Sequence, residues 1–123
     1  MSDLARAVGD EADEADEADE ALAQQAAKLR ASVAAAAARS GRRAQDVRIV
    51  AVTKTVAVER MLAATRLGFT TVGENRVQEA QEKRRQIASL TGSGETPILP
   101  IPPLRWELIG HLQTNKVALA LDL

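Results

Sequence analysis

Lys54 is the residue whose type and position are best suited to covalent chemistry. It directly follows residues 47–53, a short apolar run rich in β-branched side chains that is typical of a strand buried in a parallel sheet. A lysine at the rim of such a sheet loses part of its hydration, which disfavours its charged form. A neutral amine attacks an aldehyde to form an imine. The pattern alone leaves open a second interpretation, an ordinary lysine on a surface loop.

Polar residues also follow the next two strand-like runs of the chain. Glu74 and Asn75 come after the second run, and His111 comes after the third. Because the carboxyl ends of parallel strands meet at one edge of a sheet, we expect these residues to lie near Lys54. Each has a purely structural alternative: Asn75 could cap a helix, Glu74 could be a first-turn acid, and His111 could be an exposed loop residue.

The elements that position these residues alternate between helix and strand. Helical spacing of apolar residues, short β-branched runs and the glycines that follow them predict helices at 21–39, 58–67, 76–90 and 114–121 and strands at 47–53, 69–72 and 105–109. Residues 91–103 hold two glycines and all four prolines, which predicts a loop. This order predicts an α/β fold with parallel strands joined by right-handed crossovers.

Composition excludes several classes of protein. The chain has no cysteine and one histidine, which rules out disulfides and argues against a self-sufficient zinc site. No apolar run approaches the roughly 20 residues of a membrane span, and the acidic N-terminus does not resemble a secretory signal, so we expect a cytoplasmic protein. The basic residues are scattered and the aromatic residues few, so we expect no nucleic-acid partner.

Charge divides the chain at residue 20. Residues 1–20 hold nine acids and one arginine, a formal charge of −8, and include a three-residue acidic repeat at 10–20. Residues 21–123 hold eight acids and 15 basic residues, a charge of +7. A period of three matches neither a helical nor a strand face, and the like charges repel. We expect 1–20 to be a disordered or frayed extension and 21–123 to be the folded domain.

Three stretches of the sequence resemble the pyridoxal phosphate homeostasis protein family. They are Ala51-Val52-Thr53-Lys54, the run from Val72 to Glu79 around Gly73-Glu74-Asn75, and the run from Trp106 to Lys116 around Gly110-His111. The family is similar to the N-terminal barrel domain of alanine racemase (fold type III). The resemblance covers about residues 21–121 and implies the first three βα units of a (β/α)8 TIM-type barrel. Since a complete barrel needs about 250 residues, we expect a truncated chain.

The resemblance also implies a cofactor and roles for two residues. Lys54 matches the lysine that forms a Schiff base with pyridoxal 5′-phosphate, and Asn75 matches a residue beside the cofactor ring. Such proteins carry and buffer the cofactor without known turnover; we expect no membrane partner, and a monomer or weak dimer at full length. Glu107 stands where the family usually has a histidine. The family's phosphate-gripping loops come late in the barrel and match nothing in residues 1–123.

Two rival functions stay open from the sequence. A fold type III racemase would need an acid/base on the far side of the cofactor ring, usually a tyrosine, and the chain has no tyrosine. A plain α/β module would leave Lys54 without a role. We also expect the isolated chain to be marginally stable, because three strands leave two sheet edges unpaired.

Overall fold

The computed structural model describes the backbone of residues 3–91 and 102–123 and the side chains from residue 17 onward within them. The chain forms two compact units, residues 1–47 and 48–123. The first unit holds helix α1, Asp3–Arg39, and a short 3₁₀ helix, Ala44–Asp46.

The end of helix α1 follows the sequence prediction. Gly41 has a φ of 73°, the left-handed conformation that glycine adopts without steric cost. The amide of Gly41 donates to the carbonyl of Ala38, and the amide of Arg42 donates to the carbonyl of Ala37. This pair of hydrogen bonds is a Schellman motif, which satisfies carbonyls left free at the helix end.

The acidic repeat is part of helix α1. Because the helix begins at Asp3, the backbone shows no change of structure at residue 20, where a frayed extension was expected to end. Alanine and glutamate both have high helix propensity, which offsets the repulsion between neighbouring acids. The separation of residues 1–20 from the folded domain stays a prediction.

The second unit contains a three-stranded parallel sheet in the order β1-β2-β3. Its elements, in chain order, are β1 (Ala51–Val52), α2 (Val58–Arg66), β2 (Thr71–Glu74), α3 (Val77–Thr91), β3 (Arg105–Leu108), a 3₁₀ helix (Thr114–Lys116) and α4 (Val117–Leu121). The predicted alternation of strand and helix and the predicted α/β class are confirmed. Of the predicted loop at 91–103, residue 91 ends α3 and 92–101 lie outside the described residues.

The core of this unit lies where helices α2 and α3 cover the central strand. Its buried members are Val58, Met61, Leu62, Val72 and Ile87. Trp106 is partly buried and packs against them. Burial of each such side chain contributes about 1.5–3 kcal/mol relative to exposure. This packing holds β2 between β1 and β3. It therefore determines the position of the sheet edge at which the three strands end.

Two predicted strands have different bounds in the structure. Strand β1 covers Ala51–Val52 rather than residues 47–53, and Val52 is 55% exposed instead of buried. The physical reason is that, in the part of the chain that the structure describes, β1 lies at the edge of the sheet and has β2 as its one neighbour. Strand β2 starts at Thr71 rather than at Phe69, because the Phe69 amide still donates to the carbonyl of Ala64 at the end of helix α2. Within the described residues, no helix is both long and apolar enough to cross a membrane.

Candidate functional site

Lys54 lies at the corner of a tight turn that follows strand β1. The amide of Val56 donates to the carbonyl of Thr53 at 3.0 Å, which closes a four-residue turn with Lys54 and Thr55 in the centre. Thr55 has a φ of 62°. A positive φ at the second central position is the mark of a type II turn, where glycine or asparagine is usual. The turn leaves Lys54 exposed, so the predicted partial burial of this lysine is wrong.

A buried lysine of helix α3 lies beneath this turn. Lys83 is 7% exposed, and its Nζ donates to the carbonyl of Thr53 and, at 2.6 Å, to Oε1 of Glu74. The same Nζ lies 3.0 Å from Oε1 of Glu79. An ammonium group has three N–H donors, so these three partners use its full donor capacity. Lys83 thereby ties helix α3 to the ends of β1 and β2.

Glu79 connects Lys83 to the strained part of the turn. Its Oε1 accepts a 2.7 Å hydrogen bond from the backbone amide of Thr55. A β-branched residue in the left-handed region costs of order 1–3 kcal/mol and persists only when its surroundings hold it. The Lys83 ammonium and the Thr55 amide together hold the pKa of the Glu79 carboxyl below its usual value. Glu79 is therefore present as the charged carboxylate, and this carboxylate holds the backbone conformation of Thr55.

Glu74 is the most deeply buried acid of the site. It is 1% exposed, and its Oε1 accepts hydrogen bonds from Lys83 and from the Thr53 hydroxyl, the latter at 2.9 Å. Its Oε2 is buried and has no hydrogen-bond partner among the described residues. Its cationic partner among the described residues is Lys83 of helix α3.

Asn75 lies beside the end of strand β3. The parallel register pairs Ala51 with Val72 and Val52 with Gly73, and Lys54 and Asn75 each follow the last of these pairs by two residues. A Cβ added to Gly110 would lie 1.9 Å from Oδ1 of Asn75, so the missing side chain of Gly110 makes room for this amide.

The helix-capping interpretation of Asn75 is not supported. The amide of Ala80 donates to the carbonyl of Arg76, which makes Arg76 rather than Asn75 the capping residue of helix α3. The amide of Asn75 is instead placed at the strand end, against the space left by Gly110.

A cavity of about 410 Å³ opens at this edge of the sheet. Its lining includes Asn75 and His111, together with the cationic residues Arg76 and Lys116. The structure thus brings Asn75 and His111 to one cavity, as the shared strand edge predicted. Lys54 is not among the residues that line it. Over the described side chains, no cluster of acids and histidine is able to hold a metal ion.

Sequence reasoning missed Lys83 because it placed Arg84 rather than Lys83 on the packed face of helix α3. Helical spacing predicts one face made of Val77, Ala80, Arg84, Ile87 and Ala88, of which Arg84 and Ala88 are exposed. The buried residues are Val77, Ala80, Lys83 and Ile87. Lys83 lies three residues after Ala80 and four before Ile87, which is helical spacing for one stripe. The sequence did carry a signal for a buried ion pair at Lys83. This signal is a lysine within an apolar stripe, four residues after a glutamate.

The fold and the site define a parallel α/β protein with an exposed lysine at the carboxyl edge of its sheet. The chain is similar to curated proteins named pyridoxal phosphate homeostasis protein, and the resemblance seen in the sequence is confirmed. The relative from Vibrio cholerae is 36% identical over 92 residues, 75% of this chain and 36% of the relative. The relative from Escherichia coli K12 is 34% identical over 96 residues, 78% of this chain and 37% of the relative.

A relative from Mycobacterium leprae is 31% identical over 91 residues, 74% of this chain and 34% of the relative. The chain therefore spans little more than a third of the length of these curated relatives. No protein-family model matches it.

A solved structure has a similar fold. A crystal structure of a protein of unknown function from Bifidobacterium adolescentis superposes with a TM-score of 0.66 and 29% sequence identity. The match covers 85% of this chain and 42% of the other.

Proposed function

We propose that this chain binds pyridoxal 5′-phosphate covalently, as a Schiff base on Lys54, and serves to hold and buffer the cofactor rather than to turn over a substrate. The choice of cofactor is supported by the relatives, which are named pyridoxal phosphate homeostasis proteins. We also propose that the chain forms the first three βα units of a (β/α)8 barrel. The full-length protein would be cytoplasmic and act as a monomer or weak dimer.

One observation carries the proposal: of the two lysines next to the turn at the carboxyl edge of the sheet, Lys54 alone has an amine with no acceptor among the described residues. Lys83 is buried, and its three donors already have acceptors in Thr53, Glu74 and Glu79. Lys54 is exposed at the corner of a fixed turn, where a small molecule can reach it. Covalent chemistry needs such an accessible amine, and the geometry therefore favours Lys54 over Lys83.

The polar residues at this end of the sheet fit a flat, polar cofactor. When bound, pyridoxal phosphate supplies an aldehyde that condenses with a primary amine, with loss of water. Asn75 lies at the same end of the sheet as Lys54, two residues past the Val52–Gly73 pair, and its amide can donate to or accept from a polar ring substituent. Gly110 leaves that amide its space. These residues bind and orient the cofactor.

Absorbance of the full chain mixed with pyridoxal phosphate tests the proposal. Formation of a Schiff base gives a visible band that the free aldehyde lacks, and we expect this band with the wild-type chain. Lys54→Ala should abolish it. Lys28→Ala, which removes an exposed lysine of helix α1, is the matched control and should keep it. A band of equal height in Lys54→Ala, or no band in the wild type, overturns the proposal.

A further inference from the structure

We propose that Glu79 is a positioning residue for Lys54: its carboxylate, held by Lys83, fixes the turn that presents the amine. This inference rests on the proposed function. It adds a residue of helix α3 that lies outside the cofactor contact and acts through the backbone of Thr55.

The first step of the argument is the position of the turn. Thr53 is anchored on both sides, because its amide donates to the carbonyl of Gly73 and its carbonyl accepts from Lys83. Thr53 is also 4% exposed and donates its hydroxyl to Glu74. The entry into the turn is therefore rigid, and the direction of the Lys54 side chain depends on the torsion angles of the next two residues.

The second step is the strain at Thr55. In the left-handed conformation the Cβ of a threonine crowds its own backbone, so the free peptide favours negative φ. The flip that relieves this strain would turn the amide of Thr55 away from Glu79. The 2.7 Å hydrogen bond from that amide to a carboxylate opposes the flip, and charge-assisted hydrogen bonds of this kind are roughly twice as strong as neutral ones.

The third step is the position of the carboxylate itself. Glu79 and Lys83 are four residues apart on helix α3, and the Glu79 side chain is 29% exposed while that of Lys83 is 8% exposed. The buried ammonium thus holds Oε1 of Glu79 at a fixed place under the turn. The order of contacts runs from Lys83 to Glu79, to the Thr55 amide, and so to the orientation of Lys54.

The test compares two conservative variants of helix α3 in the full chain. Glu79→Gln keeps the size of the side chain, removes its charge and leaves the Lys83–Glu74 pair intact. Glu82→Gln is the matched control, because Glu82 is an exposed acid of the same helix whose partners, Arg85 and Gln86, are also exposed and lie away from the turn. Both variants are titrated with pyridoxal phosphate, and the visible absorbance gives the dissociation constant.

We expect Glu79→Gln to weaken cofactor binding tenfold or more and Glu82→Gln to change it less than twofold. Thr55→Gly in the Glu79→Gln background should restore most of the affinity, since glycine adopts a positive φ without strain. If Glu79 only stabilised the fold, Thr55→Gly would not restore the affinity for the cofactor. Equal affinity of Glu79→Gln and wild type, or no rescue by Thr55→Gly, refutes the positioning role while wild-type binding on Lys54 stands. Failure of the wild type to bind refutes the proposed function instead.

Discussion

Removal of the Lys83 ammonium should be among the most damaging single changes in this chain. Lys83→Met keeps the length of the alkyl chain and leaves the carboxylate of Glu74 buried without its cationic partner. The side chain of Glu74 is 2% exposed, so water cannot replace the lost contact. Breaking a buried ion pair on one side costs about 3–5 kcal/mol, a large fraction of the 5–15 kcal/mol typical of a whole domain.

The expected loss of stability in Lys83→Met is large because the Lys83–Glu74 pair is buried. An exposed ion pair of the same helix provides the comparison. Arg85 and Glu82 lie 3.2 Å apart with side chains 73% and 55% exposed. Arg85→Met should therefore change the free energy of unfolding by no more than about 1 kcal/mol. The same burial predicts that Lys83→Met combined with Glu74→Met recovers most of the stability, because an apolar pair of similar volume replaces a buried ion pair at little cost.

Urea denaturation measures these differences. Trp106 is the only tryptophan of the chain and packs against the core, so its fluorescence reports unfolding of the second unit. Circular dichroism checks whether Lys83→Met folds at all. A loss below about 1 kcal/mol for Lys83→Met, or a double variant no more stable than that single variant, contradicts the account of the buried network.

Three further outcomes follow from the same contacts. The partners of Glu79 lower its pKa, so this residue contributes stability that is present above its unfolded pKa, about 4.3, and is lost as the pH falls through the lower folded value. Urea midpoints of the wild type should therefore fall more steeply below about pH 5 than those of Glu79→Gln, and parallel curves would contradict this. Gly110→Ala would place a Cβ 1.9 Å from Oδ1 of Asn75, so it should displace this amide and weaken pyridoxal phosphate binding in the absorbance titration. Unchanged affinity would show that Asn75 does not contribute to cofactor binding. Met61→Ala removes a side chain that is 1% exposed and should lower the free energy of unfolding by about 2–5 kcal/mol in urea, whereas a loss below about 1 kcal/mol would place Met61 outside the packed core.

The sequence predicted the order of elements because hydrophobic spacing and glycine positions are local signals. Helix α2, predicted at 58–67, forms at Val58–Arg66 and buries Val58, Met61, Leu62 and Thr65. Helix α1 ends at Arg39 as predicted, and Gly41 beyond it has a left-handed conformation. The bounds of β1 were less accurate, since its burial depends on the number of neighbouring strands, which its own residues do not encode.

The site was predicted in part for a related reason. The end of each strand is visible in the sequence, so Lys54 and Asn75 could be expected at one edge of the sheet. The contacts of Lys83 could not, because they join residues up to 30 positions apart. A positive φ at Thr55 could not be expected either, since threonine rarely adopts it and only the tertiary contact with Glu79 supports it.

Borohydride reduction of the full chain after incubation with pyridoxal phosphate, followed by peptide mapping, tests the central claim most directly. Reduction converts a Schiff base into a stable pyridoxyl group on the lysine that formed it. We predict the label on Lys54, with none on Lys83. A label confined to any other lysine, or no label at all, would contradict the assignment of this turn as the place where the chain holds its cofactor.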